Sequence, residues 1–310
     1  MKKDSLIFIA GESTIAGKSL IDFLRNKQYS QVLNFDYTSP VLTDNLMVKD
    51  FFFKKKPEFV FMLGGLSGGI KKNQDNPASL MINNLESIIN IFKNAYENNV
   101  KKVFFLASSC VYPKYNPQPM NPEELMSGIL EPTNSSYAMS KLAGLELCHA
   151  YRKEFSANFI SAIPTNIFGP FDNFNQKQSH VIPALIRKIH EAKINKKKSI
   201  NIWGSGSPIR EFIYVDDIAN ACVFLMKNYN GKKPINIGTN HVISIYKLAI
   251  KIKNLIGFNG DFIFDETKPD GMPEKVLNSK EILSLGWIPK ISLDKGLVNT
   301  YNWFLSKGYK

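Results

Sequence analysis

The chain has 310 residues, 44% hydrophobic and 21% charged, a composition that suits one large globular domain or two closely packed ones and argues against disorder. Its formal charge is +12, but the lysines are scattered apart from small clusters at 54–56 and 196–198, with no interleaved aromatic motif. No nucleic-acid partner is expected; the charge reads as a solvated basic surface or as attraction of an anionic nucleotide sugar. The longest apolar runs, 6–10 and 59–63, fall far short of the roughly 18 residues that cross a bilayer. The N-terminus has no secretory pattern, so no membrane association and a cytoplasmic location are expected. Cys110, Cys148 and Cys222 are odd in number and widely spaced, which supports neither a disulfide framework nor a metal site.

Short β-rich runs alternate with amphipathic stretches through the first half of the chain. Strands are predicted near 5–10, 31–35, 58–63, 102–107 and 158–163, and helices near 15–27, 43–54, 78–98 and 136–155. This is the pattern of an α/β fold with a Rossmann-type doubly wound parallel sheet. Ligands on such sheets lie beyond the carboxyl ends of the strands, so the loops after Ala10, Leu63, Ala107 and Ile163 should converge on one crevice. Beyond Gly169 a Pro-, Asn- and Gln-rich segment leads to a helix near 182–192, a lysine-rich loop and the run 200–203. Segment 211–238, with a helix at 216–226 and a strand at 235–237, is expected to return to the first sheet. The domains are therefore interleaved: 1–168 plus about 211–240 form a dinucleotide-binding unit, and about 169–210 plus 241–310 form a smaller α/β lobe.

The first strand runs into Gly11, Ser13, Thr14, Ile15 and Gly17, a glycine-bearing turn at a helix start where amides and the helix dipole hold a pyrophosphate. Thr14 stands where the dinucleotide fingerprint has its middle glycine, and close helix–strand packing is the alternative use of the same glycines. Gly17, Lys18 and Ser19 imitate the end of a P-loop, but five residues separate Gly11 from Gly17 where a P-loop has four. Asp36 ends the second strand, where a carboxylate accepts from a ribose 2′-hydroxyl and repels a 2′-phosphate; it is equally suited to capping the strand.

Tyr137 and Lys141 are four apart in a predicted helix and share a face. An ammonium beside a phenol should favour the phenolate and lower its pKa, preparing it for proton exchange with a carbonyl or hydroxyl oxygen. Ser108, at the end of the fourth predicted strand, reaches the same crevice and can hold that oxygen.

The stretches SSCVYPK (108–114), LEPTNSSYAMSKLAG (130–144), PTNIFGPFDNF (164–174), SHVIPAL (179–185), WGSGSPIREFIYVDD (203–217) and KPDGMPEK (268–275) resemble the extended short-chain dehydrogenases, and within them the GDP-L-fucose synthase family of epimerase-reductases. That family epimerises C3 and C5 of a GDP-4-keto-6-deoxy-hexose and then reduces C4. The resemblance implies Ser108, Tyr137 and Lys141 as the reductase triad, and Cys110 and His180 as the epimerisation acid–base pair. Without it, Cys110 reads as a small buried residue and His180 as a structural histidine. It further implies a cofactor site of Gly11, Ser13, Thr14, Ile15, Gly17, Asp36, Leu63, Gly64, Tyr137, Lys141, Pro164, Asn166 and His180. Asn166, Arg187, Lys188, Trp203, Arg210 and Asp270 would surround the GDP-linked keto sugar; Arg210 has the alternative of pairing with Asp216 or Asp217. The family uses NADPH, but Ser13 and Asp36 replace its arginines, which predicts a shift toward NADH. A homodimer through the helix carrying Tyr137 is implied. The neighbouring functions are an NAD-retaining nucleotide-sugar 4-epimerase or dehydratase, and a reductase of a GDP-4-keto-heptose.

Overall fold

The computed structural model describes residues 1–33, 39–175 and 179–308. The buried strand β1 (Ile7–Ala10) turns into α1 (Ile15–Asn26), which is capped by Thr14. After α2 (Asn45–Lys55) come β2 (Phe59–Met62), the short α3 (Ile70–Asp75), the long α4 (Pro77–Glu97) and β3 (Lys102–Leu106). A loop of short 3₁₀ turns leads to α5 (Ser135–Phe155), followed by β4 (Phe159–Pro164) and β5 (Asn166–Phe168). Then follow α6 (Val181–Ile194), β6 (Ser199–Trp203), β7 (Ile209–Tyr214), α7 (Val215–Asn228) and β8 (Ile235–Ile237). The chain ends with β9 (Val242–Ser244), α8 (Ile245–Ile256), β10 (Asp261–Asp265), β11 (Glu274–Lys275), α9 (Lys280–Ser284) and α10 (Leu293–Ser306).

The main sheet has the parallel order β1-β2-β3-β4-β8. Val32 bridges to Ile7 in parallel on the other side of β1, so the strand order reverses at β1 and a crevice opens at its carboxyl end. Alternation along the strands feeds both faces of the sheet. Ile7, Ile9, Phe61 and Phe104 pack against Leu20 and Leu24 of α1 and Ile218 and Leu225 of α7. Phe8, Val60, Phe105 and Phe159 meet Phe52 of α2, Phe92 of α4 and Leu145 of α5. Burial of each such side chain contributes about 1.5–3 kcal/mol, so the two-faced sheet supplies the main stabilising force. A third core joins α6, α8 and α10 to Ile200, Ile202, Phe168 and Phe212.

Of the strand predicted at 31–35, the described part shows Val32 bridged in parallel to Ile7, and residues 34–38, with Asp36, lie outside the described residues. One sequence expectation is corrected. Segment 211–238 only partly rejoins the main sheet: β8 pairs with β4, whereas β7 pairs with β5 and β11 in parallel and with β9 antiparallel. β7 takes its hydrogen-bonding neighbours from β5, β9 and β11, so it lies in a second sheet while α7 returns the chain to the main one at β8.

Buried ions tie these layers together. Lys102 donates to the carbonyls of Met226 and Tyr229 and to Asn230 Oδ1, satisfying the end of α7. Glu211, fully buried on β7, accepts the amides of Thr239, Asn240 and Leu277. Among the described residues no helix is long and apolar enough to cross a membrane.

Candidate active site

Gly11 leaves β1 at φ 107°, a conformation that favours glycine, and a Cβ there would lie 2.3 Å from Gly64 Cα. The loops after β1 and β2 therefore touch backbone to backbone. Thr14 accounts for the missing middle glycine: its Oγ1 donates to Gly11 O at 2.7 Å and accepts from the Gly17 amide at 3.0 Å, closing the turn and capping α1. Ser13 and Ile15 flank that cap, so the unpaired first amides of α1 and its dipole face the crevice. These residues fit a dinucleotide pyrophosphate. Asp36 lies outside the described residues.

The glycine-rich loop after buried Leu63 is firmly held. Asn84 accepts from Leu66 N and donates to Leu66 O, and Asn73 Nδ2 donates to Gly68 O and Gly69 O. Lys141 donates to Gly64 O at 3.0 Å.

At the carboxyl end of β3, Ser108 caps a 3₁₀ turn (Ser109–Val111) by accepting from the Cys110 amide. Tyr137 sits in the first turn of α5, half-buried, with its phenol hydrogen-bonded to Ser108. Lys141 lies one turn on, its ammonium 5.3 Å from the centroid of the Phe105 ring. The triad is thus assembled, but its electrostatics differ from expectation. Burial pushes the Tyr137 phenol up, the nearby Cys110 adds to this, and only the Ser108 hydrogen bond works the other way. The cause is geometric: the Lys141 ammonium is committed to Gly64 O, and its own burial draws it down to about 8.

Cys110 is half-buried beside groups that sequence reasoning missed. Asn134 Nδ2 lies 3.4 Å and Lys275 Nζ 4.0 Å from its sulfur. Lys275 is in register with Arg210 across β11 and β7, and the nearly buried Glu131 lies close to both cations. Asn134 and Lys275 fall in the quoted stretches 130–144 and 268–275, but nothing local announced that the two would meet. Arg210 neither pairs with Asp216 nor Asp217: it donates to Asp270 O and Ile209 O, while Asp216 accepts from Ser19 and Asp217 from the amides of Lys290 and Ile291. His180 precedes α6, and its Nδ1 lies 3.6 Å from Asp172 Oδ1, another missed partner. The thiols of Cys148 and Cys222 are buried, and burial pushes both up.

The remaining substrate candidates are held by local partners. Asn166 Nδ2 donates to Glu211 O, Arg187 pairs with Glu191 and donates to Phe174 O, and Lys188 donates to Asn201 O. Asp270 accepts the amide and hydroxyl of Ser205, which fastens the loop after Trp203. Trp203 is itself exposed, and Pro164 is buried at the end of β4. A cavity of about 400 Å³ opens between Ser207, Ile209, Asp270 and Glu274, on the strand that carries Arg210.

Residues 7–238 match the NAD dependent epimerase/dehydratase family, and the chain belongs to that family. The GDP-L-fucose synthase of Sinorhizobium fredii (strain NBRC 101917 / NGR234) is 45% identical over 300 residues, 97% of this chain and 95% of that protein. Among solved structures, a GDP-6-OMe-4-keto-L-xylo-heptose reductase from C. jejuni superposes with a TM-score of 0.93 at 31% identity, covering 99% of both chains. A GDP-L-fucose synthetase from Naegleria fowleri bound to NADP gives a TM-score of 0.90 at 28% identity, covering 99% of this chain and 96% of that one. Within its family the chain stands with the GDP-L-fucose synthases.

Proposed function

We infer that this chain is a nicotinamide-dependent epimerase-reductase of a GDP-linked 4-keto sugar, with GDP-4-keto-6-deoxy-mannose as its substrate and the fucose-type GDP-sugar as its product. The observation that carries this reading is the meeting of Ser108, Tyr137 and Cys110 at the carboxyl end of β3, across from the glycine turn of β1. The C4 carbonyl acidifies the hydrogens on C3 and C5. Cys110 removes each proton and His180 returns one from the opposite face, inverting the centre. Ser108 and Tyr137 donate hydrogen bonds to the enolate oxygen that forms between these steps. When bound, the reduced nicotinamide supplies the hydride that C4 receives. Tyr137, which burial keeps protonated, then gives its proton to the C4 oxygen. Lys141 holds the Gly64 loop and places a positive charge near the phenol's end of the crevice.

The absence of arginine at Ser13 and Asp36 supports NADH over NADPH. An exposed apolar row on α4, comprising Ile82, Ile89 and Tyr96, continues to Met139 and Phe155 on α5 and supports a homodimer through these helices, with the enzyme acting in the cytoplasm. Arg210, Lys188 and Trp203 are assigned to the diphosphate and sugar by their chemistry.

Purified protein given GDP-4-keto-6-deoxy-mannose should consume either reduced nicotinamide, with a higher kcat/KM for NADH. No consumption with either one would end the reading. Tightly bound NAD with no net consumption would point to a 4-epimerase or dehydratase instead, and turnover confined to a GDP-4-keto-heptose would move the substrate to the longer sugar. Cys110→Ser should yield a C4-reduced sugar with C3 and C5 uninverted.

A further inference from the structure

Two N–H donors from separate parts of the chain converge on the Cys110 sulfur: the Asn134 amide at 3.4 Å, from the turn before α5, and the Lys275 ammonium at 4.0 Å, from β11. A neutral thiol is a weak acceptor, and two donors converging on one sulfur favour the anion, which accepts both more strongly. We propose that Lys275 and Asn134 are positioning residues that hold Cys110 as its thiolate, ready to take the sugar proton. The proposal rests on Cys110 being the epimerisation base.

The charged surroundings agree. Arg210 on β7 is the register partner of Lys275, so two cations from the second sheet stand near the sulfur. Glu131, a carboxylate close by, has Lys114 at 3.9 Å and accepts from the Thr133 amide. Asp270 faces Arg210, and the remaining titratable neighbour, the Tyr137 phenol, stays neutral. Burial draws Lys275 below the ordinary lysine range, and the Cys110 sulfur beside it acts in the opposite sense. The chemistry is a proton transfer alone. The thiol proton passes to water before turnover, and the thiolate later forms an S–H bond as a sugar C–H bond breaks.

Cys148 and Cys222 are buried, so iodoacetamide labelling followed by intact mass reports Cys110. At neutral pH, Lys275→Met should label about tenfold more slowly than the natural chain, while Lys275→Arg keeps a rate near the natural one. Labelling of Lys275→Met at the natural rate overturns the proposal. Should that variant fail to fold, Asn134→Ala serves: a rate roughly threefold lower supports the arrangement, and an unchanged rate overturns it. Deuterium uptake at C3 and C5 in heavy water separates this from the functional reading. Slower labelling with normal uptake supports the thiolate pairing and removes Cys110 as the epimerisation base; slower labelling with slower uptake supports both.

Discussion

The ammonium of Lys141 lies 3.0 Å from the carbonyl oxygen of Gly64, so the helix that presents Tyr137 is pinned to the loop that closes the crevice beside β1. Gly11 and Gly64 are in backbone contact, and this single bond therefore links three segments: the glycine turn, the loop after β2 and α5. Lys141 thereby shapes the cleft.

Lys141 is drawn down to about 8 by burial, so its charge is lost as pH rises through that value. The rate of C4 reduction should fall across the same range, while Tyr137, pushed up by burial, stays protonated throughout. Lys141→Arg, always charged, should show a lower but flat profile. A natural enzyme whose rate holds steady through this window would contradict the role given to the ammonium.

Tyr137→Phe removes the proton donor and one enolate hydrogen bond while keeping the ring. Reduction should slow by about 10²–10⁴-fold, the usual scale of general acid catalysis, with the thermal midpoint little changed. Stopped-flow nicotinamide absorbance and a melting curve on the same sample check both parts.

Asp172 Oδ1 lies 3.6 Å from His180 Nδ1, and its Oδ2 is buried with no hydrogen-bond partner among the described residues. Asp172→Asn should release the imidazole from its orientation and reduce deuterium uptake at C3 and C5 by roughly ten- to a hundredfold, as small misplacements of an acid or base do. KM for the sugar should stay near its natural value. A loss confined to KM would indicate that Asp172 serves substrate binding instead.

Glu211 feeds one buried carboxylate to three amides from β7's neighbours. Glu211→Ala strands all three and should cost about 3 kcal/mol or more of unfolding free energy, because each hydrogen bond to a buried charge is strong and each orphaned amide costs further. Urea titration reads it; a shift below about 1 kcal/mol would show that water replaces the carboxylate.

Lys102 is buried and drawn down to about 8, below its unfolded value of 10.5. Between those values the unfolded chain binds more protons than the folded one, so this group's contribution to stability rises with pH from about 8 to about 10.5. Lys102→Met should lower stability at neutral pH by about 2 kcal/mol, since the carbonyls ending α7 lose their donor, and the deficit should widen on moving to alkaline pH. A deficit that narrows instead would mean that the folded chain binds the more protons between those values.

Much of the main sheet was readable because its signals are local. Ile7 and Ile9 face one core and Phe8 and Ala10 the other, a period of two that survives in the linear chain. Tyr137 and Lys141 share a helix face through the period of 3.6, and helices α1, α2, α4 and α5 fall within two residues of their expected bounds. Short strands were harder. β5 and β11 have three and two residues, too few to show a period, and exist only through pairing with β7.

Composition, alternation and motif spacing alone determined the class of fold, the glycine turn and the shared helix face of Tyr137 and Lys141, since each depends on neighbours a few residues apart, whereas the triad's role came from the family resemblance. Only the folded chain decided what surrounds Cys110 and His180 and how the triad is charged. Lys275 reaches Cys110 across 165 residues of sequence through the register of β11 on β7, and the phenol of Tyr137 is raised by burial while its neighbouring ammonium turns to Gly64. Long-range register and desolvation belong to the packed chain, and no local pattern encodes either.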